Sequence, residues 1–394
     1  MKPDTIGARV RYWRMRRGGM TQAVLAGLAG VSQSYISQVE SGRKTIDRRS
    51  TLVTIAAALQ VTVADLLGQG TEPGDPARDS AAEHVPAIWS ALIEIEDGER
   101  RQPGRAREQL ATDIARSDRL RMSCNYPAMA RMLPALLLDA AAVGGPVLVQ
   151  VAYQASTCLR HLGYRHLALN AARIAVLAAE DIEDPAWIGA SRFAYAQSLP
   201  IESAPIAARS ADRSLSELQA DAADDRVRQM LGQLHLSAAL TSTVSGRADV
   251  AGDHLAEAAR EAASLGDPSD GAGFNGCGFG PTNVGLWAMS IAAEQGESGR
   301  VIELSRKVRP HVLVASIRQQ SYWLDLGRAL ADGGRRDAEA LASFVQAERA
   351  APVPFVLNPL ARDAVVALVQ RAKRRAVPDE LRALAGRMGI RLAS

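Results

Sequence analysis

The run Thr21–Gly42, TQAVLAGLAGVSQSYISQVESG, leaves few folds open to this end of the chain. Its apolar residues are spaced for two short helices. Leu25 and Ala26 face inward from the first, which Gln22 opens, and Ile36 and Val39 face inward from the second at i and i+3. Gly30 stands between them, where the backbone must turn through a left-handed conformation that a residue without Cβ enters cheaply. Ser32 is placed to cap the second helix, because its hydroxyl can accept from an orphan backbone N–H. Ala26 is small enough for the helices to cross closely, and Gln33, Ser34, Ser37 and Gln38 are left on the other sides of the second helix. A pair of this shape can lay its second helix in a DNA major groove.

The flanks fit the same end. Ile6, Val10 and Trp13 share one face of a helix over residues 5–17, ringed by Arg9, Arg11, Arg14, Arg16 and Arg17. Arg43, Lys44, Arg48 and Arg49 fill a loop before a helix at Thr51–Gln60, and Thr62 can cap a last short helix at Val63–Leu67. The overall charge of +3 hides a division. Residues 1–70 hold 10 Lys and Arg against 4 Asp and Glu, a net of +6, and the remainder holds 36 against 39, a net of −3. Basic charge on the N-terminal end is what phosphate neutralisation requires.

Over residues 5–67 the chain resembles the phage-repressor-like regulators of the Cro/C1, or Xre, type. The resemblance is carried by Thr21-Gln22, Leu25-Ala26, Gly30-Val31-Ser32, Ile36-Ser37 and Glu40-Ser41-Gly42-Arg43. It implies an all-α fold that begins with a five-helix repressor-like DNA-binding domain at residues 1–68. A double-stranded DNA operator would be its partner, with homodimerisation on a two-fold site. By the same resemblance Gln33, Ser34, Tyr35, Ser37 and Gln38 fall at base-reading positions, and Gln22, Ser32, Arg43 and Lys44 fall near phosphates. The amide of Gln33 or Gln38 matches the N6 and N7 edge of adenine. Tyr35 occupies a position that is often small in the family.

Residues 69–83 lose the apolar period and gather Gly, Pro and Asp, as a linker does. From His84 to Ser394 the pattern is helical, with short breaks such as Asp184-Pro185 and Gly333-Gly334 and no convincing strand. Aromatic residues make up only 4% of the chain, and abundant alanine favours closely packed helices. Trp323–Pro352, with Trp323, Leu326, Gly327, Leu330, Gly334, Ala340, Phe344, Ala347 and Pro352, resembles a tetratricopeptide repeat with one extra residue in its turn. Weaker copies centre on Gly163, Gly246 and Gly296, and a hidden one falls near Ser198. An α-solenoid of tetratricopeptide-like helix pairs over 84–394 follows; that it acts as a sensor and dimerisation domain is what the resemblance to regulators of this two-part layout implies.

The resemblance to peptide-responsive regulators of this layout implies that the array binds a signal peptide or small-molecule effector. Carrying the repeat register over puts Gln150, Tyr153, Thr157 and Arg160 in its groove from the first copy. Arg192 joins from the hidden copy, Gln233 from the next, Asn283, Ser290 and Glu294 from the Gly296 copy, and Arg328 from the last. The alternative is a DNA-tethered scaffold whose solenoid recruits a protein partner.

Other chemistry finds little support. Gly271–Gly276 matches GxGxxG, but no strand precedes it and no βαβ unit surrounds it. The following run Phe279–Val284, FGPTNV, looks like one found in regulators of the same two-part layout. His161 and His166 are five apart and share no helix face as metal ligands, and GxSxG, HExxH and P-loop motifs are absent. Cys124, Cys158 and Cys277 are widely spaced, which suits reduced thiols better than a disulfide framework or a zinc site. No enzyme activity, cofactor or metal is expected. The most apolar stretch, Leu133–Tyr153, is broken by Asp139, Gly144-Gly145 and Pro146, so no membrane partner and a cytoplasmic location are expected. A second basic run, Arg371 and Lys373 to Arg375, reads as an exposed helix face.

Overall fold

The computed structural model describes residues 5–68, 80–98, 101–372 and 377–390, and among them there is no strand. Most of the expected linker and the basic residues Lys373, Arg374 and Arg375 lie outside the described residues.

Five helices form the N-terminal unit: α1 (Ile6–Arg16), α2 (Gln22–Ala29), α3 (Gln33–Glu40), α4 (Arg49–Leu59) and α5 (Val63–Leu67). They close around Ile6, Val10, Leu25, Ile36, Leu52, Ile55, Leu59 and Leu66. Four of them start on a hydroxyl cap, Thr5 for α1, Thr21 for α2, Ser32 for α3 and Thr62 for α5. Such a cap is worth about 1 kcal/mol. Helix α4 has no cap of its own, because the residue before it is Arg48. It nevertheless begins at Arg49, two residues earlier than the apolar spacing suggests, since the carboxylate of Glu294 accepts from Arg49 N and Ser50 N at 2.9 Å each.

The rest of the chain is helix packed on helix. A first group comprises α6 (Val85–Glu96), α7 (Arg107–Met122) and α8 (Tyr126–Val143). Hairpins then follow in series: α9 (Gly145–His161) with α10 (Arg165–Asp181), and α11 (Pro185–Ser198) with α12 (Ala204–Leu218). Next come α13 (Asp225–Val244) with α14 (Ala248–Leu265), α15 (Pro281–Gln295) with α16 (Ser298–Ser305), and α17 (Ser316–Ala331) with α18 (Asp337–Ala350). The first members of the pairs touch in sequence, α9 to α11 to α13 to α15 to α17, so they form one row. Short helices α19 (Pro352–Val356), α20 (Pro359–Ala372) and α21 (Asp379–Arg387) close the far end. The hidden repeat near Ser198 is the α11–α12 hairpin, joined through a tight turn at Ile201–Ser203. Alanine lets the pairs approach: Ala168, Ala171, Ala172, Ala175 and Ala179 of α10 are all fully buried.

The Gly-rich segment before α15 is a plug. Asp267 accepts from Thr282 N (2.9 Å) and Thr282 Oγ1 (2.6 Å), which pins the segment to the first turn of α15. The far edge of the Phe279 ring then rests on α13 at Gly232, where an added Cβ would stand 1.9 Å from its Cζ. The glycines here serve packing, and no nucleotide-binding turn is formed.

All three cysteines are free and buried. Cys124 and Cys158 belong to the core around α8, α9 and α10, while Cys277 belongs to the next one. Burial pushes the Cys277 thiol up to about 11 and Cys158 higher still. No group of residues able to hold a metal ion, and no helix long and apolar enough to cross a membrane, occurs among the described residues.

Candidate nucleic-acid interface and ligand cavity

Helices α2 and α3 are locked by one carboxylate. Glu40, in the last turn of α3, accepts from Arg14 Nε (2.6 Å), Arg14 Nη2 (2.8 Å) and Gln22 Nε2 (2.8 Å). This ties α1, the start of α2 and the end of α3 together, with side chains of the Arg14–Glu40 pair almost fully buried. Gly30 turns the chain at φ 67°, and Ser32 Oγ accepts from Tyr35 N at 3.1 Å. The outer edge of α3 is polar and accessible. Gln33 and Ser34 are exposed, Ser37 and Gln38 half-buried, and Gln38 Nε2 donates to Ser34 Oγ at 3.2 Å.

Exposed Arg43 and Lys44 follow α3 directly. Tyr35 is placed differently from its neighbours. It packs on the edge of the domain core under Lys44, whose Nζ lies 5.3 Å from the ring centroid. Burial, with Asp47 next in effect, raises its hydroxyl to about 12. Gln22 likewise spends its amide on Glu40.

The array grips this domain by its helix N-termini. Asp363 Oδ1 accepts from Ile6 N of α1 (3.2 Å), Glu294 caps α4, and Glu202 Oε1 accepts from Val63 N of α5 (2.6 Å). A carboxylate opposite a helix N-terminus meets both unsatisfied N–H groups and the positive end of the dipole. Arg328 returns the favour by donating to the Asp47 carbonyl. Half-buried Asp363 is held up at about 6 by desolvation, against the bond from Ile6.

Between the domain and the array lies a cavity of about 940 Å³. Arg49, Leu52, Thr62 and Val63 wall it on one side, and Tyr153, Arg160, Phe193, Trp287 and Arg318 on the other. Of the positions expected in the groove, Tyr153, Thr157, Arg160, Gln233, Ser290 and Arg328 line it. Four do not. Gln150 is half-buried elsewhere on α9. Arg192 pairs with Glu180 and Glu217, and its neighbour Phe193 takes the cavity wall, a shift of one residue. Asn283 is 0% exposed and donates to Gln233 Oε1 (3.1 Å) and the Cys277 carbonyl (3.3 Å), bracing the Gly-rich plug. Glu294 is turned to α4. Arg121, Arg165, Arg318, Trp287 and Gln320 line the cavity without having been expected there. Arg318 lies in the first turn of α17, ahead of the Trp323 where the repeat pattern becomes readable.

The geometry defines a class at one end of the chain: residues 5–67 match the family model of the helix-turn-helix domain, and the chain carries such a domain there. A solved structure, that of Bacillus thuringiensis PlcR in complex with the peptide PapR7 and DNA, is similar at 17% identity and a TM-score of 0.35, across 66% of this chain and 95% of that one. No curated protein matches the chain.

Proposed function

We propose that this protein is a sequence-specific DNA-binding transcriptional regulator whose helical array senses an effector, a signal peptide or small molecule, and joins two copies on the operator. The observation that carries this reading is the outer edge of α3. Gln33, Ser34 and Gln38 lie on the accessible edge of a helix whose pose is fixed by the Glu40 clamp, the side chains of the last two joined only to each other, within a basic domain that matches the helix-turn-helix family. In this reading Gln33, Ser34, Ser37 and Gln38 face base edges. Ser32, Arg43 and Lys44 attend the phosphates, and Tyr35 and Gln22 act by supporting them. Selection from a random duplex pool with the full chain tests it. A recovered two-fold sequence bound at least about 10³-fold more tightly than random DNA is expected at physiological salt. Failure to enrich any sequence overturns the regulator reading.

A further inference from the structure

The cavity is rich in donors and short of acceptors. Arg160 and Arg318 have no carboxylate partner among the described residues. Arg160 meets the His161 ring nitrogen at 3.0 Å, and Arg318 lies 5.6 Å from the centroid of the Trp287 ring. Two further donors have no hydrogen-bond partner, Gln320 Nε2 and Trp287 Nε1, on residues 3% and 7% exposed. The two acids of the lining are already engaged. Glu202 holds Val63 N, and Asp325 accepts from Ser290 and Arg328.

The charges are crowded. Burial chiefly, with the field of Arg160, lowers the affinity of Arg318 for its proton, and burial, with the fields of Arg160, Arg165 and Arg318 behind it, drives His161 well below its ordinary value. At the mouth, Arg165 keeps an accessible tip, yet desolvation with Arg160 and Arg49 brings it down to about 10. Arg160 and Arg318 are half-buried, and like charges drawn partly out of water without a counter-ion destabilise a fold unless something supplies the missing partner. A guanidinium matches a carboxylate or phosphate through two parallel bonds. Phe193, Leu240, Leu286 and Leu324 give the wall an apolar part beside polar Thr157, Gln197, Gln233 and Ser290, and the volume is at the upper end of the usual range for small-molecule sites.

We propose that this cavity binds an organic anion, a carboxylic or phosphoric acid with an apolar body, whose acid group is held by Arg160 and Arg318 and met by Gln320 Nε2 and Trp287 Nε1. The proposal rests on the reading of the array as a sensor and names the chemistry of what it senses. Arg49, Leu52 and Val63 lie in the same wall, so the ligand touches the DNA-binding domain as well as the array.

The test uses the full chain without DNA at fixed ionic strength. Phenyl phosphate, phenylacetate and inorganic phosphate are the probes, with benzyl alcohol as the neutral control. The melting temperature of the wild type should rise by at least about 2 °C with an aromatic acid and stay level with the alcohol. The acid that acts at the lower concentration separates a phosphate source from a carboxylate source. Arg318→Gln and Arg160→Gln should each weaken that response at least tenfold. Their own melting temperatures without probe should hold or rise, because a repulsion is removed.

A wild type unmoved by both aromatic acids overturns the site. So does an equal response in the variants, or variants that melt several degrees lower, which would make the arginines part of the fold. Wild-type DNA affinity, measured with and without the acid, separates the two readings. Stabilisation with unchanged affinity leaves the anion site standing and removes the sensor, whereas DNA binding without stabilisation does the reverse.

Discussion

Gln38 gives up little to reach a base, because its side-chain amide is engaged only with Ser34 at 3.2 Å on an accessible helix edge. Gln38→Ala is therefore expected to lose about 1–3 kcal/mol on the selected duplex and nothing on random DNA, read by fluorescence anisotropy. Equal losses on both would remove Gln38 from the base-reading set. In the proposed reading Lys44 contributes charge to the phosphate contact rather than to base reading. Lys44→Ala should weaken binding to every sequence alike and reduce the salt slope by about one unit, whereas an unchanged slope would show a lysine solvated throughout. Gly232 bears on the fold instead. Gly232→Ala would force a Cβ to within 1.9 Å of the Phe279 ring, so urea unfolding should report a loss of about 1–3 kcal/mol as the plug is displaced.

At the scale of elements, the carboxylates that cap α1, α4 and α5 make the strongest predictions. Glu294→Ala strips the first turn of α4 of its acceptor, and the amides of Arg49 and Ser50 should lose their protection from hydrogen exchange. If those amides stay protected, the cap contributes nothing. Asp363 sits at about 6, above its ordinary 3.8, because burial penalises its charge. A raised acid favours the folded, docked state in its protonated form, so that contribution is fully present below pH 3.8 and fades as the pH climbs through 6. Asp363→Asn, which keeps the acceptor for Ile6 N, should gain up to about 3 kcal/mol over the wild type at pH 8 and little at pH 4. Urea titrations at the two pH values give the difference, and an equal gain at both would mean that Asp363 does not titrate there.

These caps also mark where the sequence stopped being readable. Thr21, Gly30, Ser32 and the Trp323 unit act through neighbours a few residues away, and local spacing revealed them. Glu294 meets α4 across 245 residues and Asp363 meets α1 across 357, separations that no periodicity encodes. The expected groove went astray at Arg192 for a different, local reason. One residue of register error turns a helical side chain by about 100° and exchanges Arg192 for Phe193 as the wall.

On the scale of the whole molecule, the DNA-binding domain and the array share a boundary made of charge and cavity together. Under the proposed reading, a ligand in that cavity would touch Arg49 and Leu52 of α4 and Val63 of α5, which would give an effector a physical route to the orientation of α3. In the proposed dimer the two copies of α3 would lie about 34 Å apart. Inserting five base pairs between the half-sites puts them on opposite faces of the duplex and should abolish cooperative binding. Binding that survives the insertion would argue for monomers acting alone.

The buried thiols give the molecule an internal clock for its own opening. The described helix-turn-helix domain has no cysteine, while Cys124 and Cys158 share one core of the array and Cys277 sits in the next. A maleimide reaches each of them only when the surrounding core parts, so the labelling rate at each position measures the breathing of that segment. Mass spectrometry of the labelled peptides would resolve the order of opening. The two thiols of the shared core should react together, and Cys277 on a schedule of its own.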